Sequence, residues 1–323
     1  MAVQGVFSLK KVYKRQFQNV KDGNFVSWPE SSVYGYYIGG TFTATMFRLN
    51  FSTDTFNVPG SNLPGARQAF GSFPSPLYGY TGGGHTAPGI SFTALVSRFN
   101  FSGETFSNPG LNLPAARSYL AGTSHTKQYG YFACGLTPAG TFVNTNTRLD
   151  FRTGVVSNPG TNFPTALNEN GAFSGELFGY FGGGSSAPTT YLAAVQRLNF
   201  STETINTTTS IPSARDSLNQ GVSNKVYGYF AGGWNGAFMS NISRFDLSTE
   251  TFNNPGNNLS PVRGYIAMTS NFAYAYLGGG ASVPGGSTSF VDRLDFSNDT
   301  LTRPVNLPAA RNNSGGISGG QSV

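Results

Sequence analysis

From residue 33 onward, apolar and polar positions alternate in short runs broken by turn residues. The segment Arg148-Leu149-Asp150-Phe151 is typical: polar, apolar, polar, apolar. A strand splits such a run onto two faces, so Leu149 and Phe151 are expected on one buried side. The stretch that follows in most copies, "STET" or a close variant, is a tight polar turn, and the next "TF" starts another strand. Upstream, "GYF" runs end in paired or triple glycines, which accept positive φ and let backbones approach closely. The pattern predicts many short strands joined by tight turns, with no long helix among them.

The alternating runs recur in six copies. The first anchor reads "YGYYIGG", "YGYTGGG", "YGYFACG", "FGYFGGG", "YGYFAGG" and "YAYLGGG". Its second tyrosines are Tyr36, Tyr80, Tyr131, Tyr180, Tyr229 and Tyr276, spaced by 44, 51, 49, 49 and 47 residues. A second anchor reads "RLNFST" or a variant, and a third reads "LPxAR". A period near 48 containing only strands and turns predicts the blades of a β-propeller, four strands to a blade. Each "LPxAR" leads into an innermost strand and each "GY" strand pairs beside it. The last "LPAAR" is followed by "NNSGGISGGQSV" with no "GY" strand after it, while the first "GY" strand has no "LPxAR" before it. The C-terminal strand is therefore expected to pair with the first blade and close a ring of six over residues 33–323.

Composition sharpens this picture. The 323 residues include 43 Gly and 18 Pro, with 14% aromatic and only 11% charged residues, which suits an all-β domain and is too aromatic for a disordered chain. The formal net charge of +6 invites a nucleic-acid reading. Yet 11 of the 14 arginines occupy two recurring repeat positions and are spread along the chain, where a phosphate-binding surface needs them clustered. No nucleic-acid partner is expected. The single cysteine, Cys134, excludes an intramolecular disulfide. No stretch has the apolar length of a membrane span, and the N-terminus has no apolar core of a secretion signal.

The order "LPxAR", "GYFGGG", "RLDFSTETF" resembles the kelch repeat, with its Pro-Arg lead and double glycine. It departs where kelch blades carry a late tryptophan: Phe56, Phe106, Val156, Ile205, Phe252 and Leu301 stand there. The Gly/Ser/Thr/Asn-rich repeats, preceded by a basic arm ending in "SWPES", also resemble virion structural proteins of marine bacteriophages of the cyanophage type. That resemblance implies a virion location, with a tail, fibre or capsid-surface role.

Residues 1–32 lie outside the repeats. Phe7, Leu9, Val12, Tyr13, Phe17 and Trp28 supply apolar contact, and Lys10, Lys11, Lys14 and Arg15 supply charge. As an anchoring arm this segment would dock the propeller onto other virion structural proteins, as an amphipathic helix or as an added strand. Its plainer alternative is packing under its own propeller. The loops between second and third strands share one face with the connections between blades. They carry His85, Phe92, Phe142, Tyr191, Trp234, Asn235 and Phe238 amid Ser, Thr and Gly. Flat rings with adaptable hydrogen-bonding groups suit a recognition face, with a host surface polysaccharide as ligand. Residue by residue, the competing assignment is that such rings cap the space between blades.

Reactive chemistry is sparse. His85 and His125 are the two histidines and fall near opposite faces, so no shared metal or catalytic site is expected. "GISGG" at 316–320 matches a nucleophile motif by letters alone, because it lies in a strand at the chain end. Asp54, Glu104, Glu203, Glu250 and Asp299 recur once per blade beside arginines such as Arg48 and Arg98, which points to structural pairs. The "LPxAR" arginines are expected to bond carbonyls between blades, with Leu167 the exception. No cofactor is expected. The sequence thus predicts a non-enzymatic virion propeller docked by residues 1–32, and as an alternative a free glycan-binding or protein-adaptor kelch-like propeller.

Overall fold

The computed structural model describes residues 33–86, 91–125, 128–224, 226–283 and 286–319. The N-terminal arm proposed for residues 1–32 lies outside them. The described chain is all-β and forms six blades of four main antiparallel strands. Blade 2 runs Gly71–Pro74, Tyr78–Gly82, Leu95–Asn100 and Thr105–Asn112, from the axis outward. Blades 3 to 6 repeat this order, the "GY" strands being Tyr129–Ala133, Phe178–Gly182, Tyr227–Ala231 and Tyr274–Gly278. Blade 1 is built from both ends of the ring. Its strands Tyr34–Ile38, Met46–Asn50 and Thr55–Asn57 receive Gly315–Ser318 as innermost strand, with Tyr36 opposite Ile317. The closure expected from the sequence is present.

Blades bury both sheet faces, so the "GY" strand is buried from its second residue on, while the third strand keeps its period of two. In Met46–Asn50, Leu49 is buried and its neighbours Arg48 and Asn50 are half-buried. The core is six separate apolar clusters, one per space between blades; between blades 2 and 3, Phe73, Tyr80 and Val96 meet Leu120, Phe132 and Leu149. Glycine is required where blades converge. A Cβ on Gly316 would lie 2.1 Å from the Met268 carbonyl oxygen of blade 6. The "NPG" connection turns inward as a loop after blade 3, at 158–160, but in blade 2 it lies inside the outer strand Thr105–Asn112, where Gly110 at φ 78° takes up a register shift.

The "LPxAR" arginines join neighbouring blades. Arg67 is bonded through its backbone to blade 1, at Gly40 and Thr43. Its buried guanidinium donates to the carbonyls of Gly83 and Leu95 and the hydroxyls of Thr81 and Ser97 in blade 2. Arg117 does the same with Phe132 and Thr147, and Arg311 with Gly39 and Thr45. In blade 4 the acceptor positions hold Phe181 and Gln196, and Leu167 packs among apolar neighbours instead.

The recurrent acids clamp the same interfaces farther out. The Tyr131 hydroxyl donates to Glu203 at 2.9 Å and Arg148 pairs with it at 2.8 Å, tying blade 3 to blade 4. Tyr180 and Arg197 hold Glu250; Tyr229 and Arg244 hold Asp299; Tyr276 and Arg293 hold Asp54; Tyr36 and Arg48 hold Glu104. Each arginine also lies over an aromatic ring, Tyr129 in the case of Arg148.

Candidate functional site

The axis on the loop face is framed by one residue from each blade, two positions after the "LPxAR" arginine or its counterpart. These are Ala69, Tyr119, Glu169, Ser217, Tyr265 and Asn313, all at φ between 52° and 58°. Backbone bonds link them in a circle: Tyr119 N–H donates to Ala69, Glu169 to Tyr119, Tyr265 to Ser217, Asn313 to Tyr265 and Ala69 to Asn313. Leu218 N–H completes it by donating to Glu169. Left-handed backbone at a residue with a side chain costs on the order of 1 kcal/mol or more, so six such residues are held only by the ring around them.

Below this circle Gln220 crosses the channel. Its amide donates to Ser72 Oγ and the Gly316 carbonyl, and its Oε1 accepts from the N–H groups of Met268 and Gly316. In the other five blades the residue opposite the "GY" tyrosine comes six positions after the lead arginine or Leu167; in blade 5, Val222 comes seven after Arg215. The extra residue is absorbed by Asn219 at φ 57°, and Gln220 is carried into the axis.

On the side of blades 3 to 6 the circle opens into a cavity of about 420 Å³. Its polar floor is Asn168, Glu169, Asp216, Ser217 and Tyr265; its wall is Phe142, Tyr191, Trp234 and Phe238. Glu169 accepts hydrogen bonds from Tyr265 OH at 2.8 Å and Ser217 Oγ at 2.9 Å. Burial, with the neighbouring Asp216 carboxylate, pushes the Glu169 carboxyl up to about 7. Burial also raises Asp216 above the usual carboxylate range. Trp234 Nε1 donates to Tyr191 OH at 3.1 Å and its ring meets Phe238 edge-on at 4.8 Å, so the wall is fixed by its own contacts. No arginine or lysine lines the cavity among the described residues.

The loop residues singled out from the sequence divide. Phe142, Tyr191, Trp234 and Phe238 come together around the cavity. Asn235 is exposed on the turn beyond Trp234 and does not line it. His85 is 3% exposed, bonds Gln68 through Nε2, and is enclosed by Phe42, Phe92 and Tyr119 at ring distances of 5.3 to 5.7 Å. Burial lowers its affinity for a proton. His85 and Phe92 therefore belong to the packing beside the axis. Reading loops alone missed Asn168, Glu169, Asp216, Ser217 and Tyr265. Their signal was present: the two positions after "LPxAR" change chemistry from blade to blade while the residues around them repeat.

Comparison with known proteins identifies the architecture. The structure of YjhT superposes with a TM-score of 0.71 at 14% identity, over 86% of this chain and 98% of that one. At that identity the likeness shows the fold, a six-bladed propeller. No family model and no curated protein matches the chain. The expectation of a non-enzymatic protein is corrected here. It rested on the lack of any grouped reactive side chains. The structure groups a carboxyl titrating near neutrality with a tyrosine hydroxyl and a second carboxyl in one cavity. The fold shared with YjhT separates binding modules from enzymes no better, since function resides in the site.

Proposed function

We propose that the loop-face cavity recognises a neutral sugar unit of a polysaccharide. The observation that carries this reading is the pairing of a fixed aromatic wall, Trp234 with Tyr191 and Phe238, with a floor of hydroxyl, amide and carboxyl groups. A pyranose has apolar C–H faces that stack on rings and equatorial hydroxyls that both donate and accept. A floor carrying Glu169 and Asp216, with no basic residue among the described ones, disfavours acidic sugars. The carboxyl of Glu169, titrating near 7, accepts from a sugar hydroxyl when ionised and donates when protonated.

The sequence resemblance to phage structural proteins supports a virion setting for this recognition. Residues 1–32 would dock to another structural protein and leave the loop face outward toward a host polysaccharide. Affinity electrophoresis through immobilised neutral and acidic polysaccharides tests the reading. Retention by a neutral polymer, lost in Trp234→Ala by tenfold or more, is expected. Retention only by acidic polymers, or equal retention of the variant, contradicts it. Gold labelling on particles tests the virion setting, and deletion of residues 1–32 should abolish incorporation while sparing sugar binding.

A further inference from the structure

Five of the six interfaces between blades are closed by the same three groups: a tyrosine hydroxyl and an arginine from one blade, and a carboxylate from the next. The sixth, between blades 2 and 3, has Tyr80 and Arg98 but no acid among the described residues. Arg98 lies over the Tyr78 ring at 4.5 Å, as its counterparts lie over theirs, and Tyr80 stacks on Phe151. The residue in the acid's place is Gly154, at φ 70°. The five acids adopt φ between 48° and 59°, so the turn backbone of blade 3 has the same left-handed form. A Cβ built on Gly154 would meet nothing within 4 Å. The same turn carries Arg152 where the other blades carry serine, Ser52, Ser102, Ser201, Ser248 and Ser297. This interface has therefore lost one negative charge and gained one positive charge relative to the rest.

We infer that the cleft between blades 2 and 3, formed by Tyr80, Arg98 and Gly154, binds a short carboxylate supplied from outside the repeat. The ligand takes the place that a Glu or Asp side chain fills in the other interfaces, so its size is that of acetate to propionate or of a glutamyl side chain. Its carboxylate accepts from the Tyr80 hydroxyl and from the Arg98 guanidinium, as Glu203 accepts from Tyr131 and Arg148 at 2.9 and 2.8 Å. The strand 3–4 turns lie at the opposite end of the blades from the cavity containing Glu169. Binding here is independent of sugar recognition there.

The test is the thermal midpoint of the full chain in sodium propionate against sodium chloride at equal ionic strength and pH. Wild type is expected to rise by about 2 °C or more at 100 mM propionate relative to chloride. Gly154→Glu supplies the carboxylate internally; it should melt above wild type in chloride and show no propionate-specific rise. Should that variant fold poorly, Arg98→Gln provides the second reading, because it must lose the propionate response. Blocked glutamate, N-acetylglutamate α-amide, separates the sources of the carboxylate. Stronger stabilisation by it than by propionate assigns the site to a side chain of another protein, and equal stabilisation assigns it to a free small acid. Equal rises in wild type, Gly154→Glu and Arg98→Gln, or no rise with any carboxylate, overturn the inference.

Discussion

Six side-chain-bearing residues at left-handed φ circle the axis, and their identities determine what the mouth of the propeller can hold. Ala69 and Ser217 are small, whereas Tyr119, Glu169 and Tyr265 carry large side chains and Asn313 an amide. Glu169 gives this arrangement a measurable signature. Its folded-state value near 7 lies above the ordinary carboxyl value, so the folded state holds the proton that the unfolded state has released between about 4.5 and 7. Stability is therefore greatest below about pH 4.5 as far as this group is concerned, is lost as the pH rises toward 7, and levels off above. Asp216, raised in the same direction, adds to the slope. Urea midpoints from pH 4.5 to 8 should fall less steeply in Glu169→Gln than in wild type; an unchanged slope would mean that the carboxyl titrates normally.

Gln220 illustrates what a residue reading of the sequence leaves unseen. The one-residue insertion after Arg215 is plain in the chain, but its consequence depends on four hydrogen bonds to Ser72, Met268 and Gly316 of blades 2, 6 and 1 meeting at the axis. Gln220→Ala strips these buried groups of partners and should cost about 2 to 4 kcal/mol in urea unfolding. A loss under 0.5 kcal/mol would show that water replaces the amide.

At the scale of elements, the blade repeats because each anchor has a separate physical duty. The tyrosine and arginine of the "GY" and "RLDF" strands reach the acid of the next blade's turn, and the "LPxAR" arginine pins the connecting segment to the blade it enters. These duties kept the anchors recognisable, so blade count and strand order were legible beforehand, whereas the acids pair with arginines of the preceding blade and not with those beside them in the chain, as Asp54 does with Arg293 rather than Arg48. Elements whose duty differs between blades were not: the "NPG" segment is a loop in one blade and part of a strand in another. The Glu203 clamp is a useful check on the pairing. Glu203→Gln and Tyr131→Phe should each cost about 1 kcal/mol, and a double-mutant cycle should show coupling of about 0.5 kcal/mol or more. Strict additivity would mean the bond does not stabilise the interface. Tyr131 is buried but Glu203 is partly exposed, which keeps the expected values low.

At the scale of the molecule, closure by Gly315–Ser318 makes the ring one cooperative body, because blade 1 has no innermost strand without it. Gly316 is the tightest point of that strand. Gly316→Ala forces a Cβ against the Met268 carbonyl and should lower stability by several kcal/mol, with loss of a single sharp unfolding transition. A variant that melts like wild type would contradict this account of closure. The six-bladed ring was thus readable from the sequence, whereas the cavity was readable only in part. Aromatic loop residues announce themselves by composition. The polar floor comes from positions inside the repeat whose variation acquires meaning only when six blades converge on one axis.

On the proposed reading, Trp234 and the Glu169 floor form one sugar-binding cavity. Trp28 and Trp234 are the two tryptophans of the chain, so a Trp28→Phe protein reports on Trp234 alone. Its emission should shift saturably on titration with neutral oligosaccharides, remain unmoved by acidic ones of the same length, and lose the response when Glu169→Gln is added. Saturable binding of a neutral oligosaccharide by calorimetry with no change in Trp234 emission, or no binding of neutral oligosaccharides at all, would contradict the account.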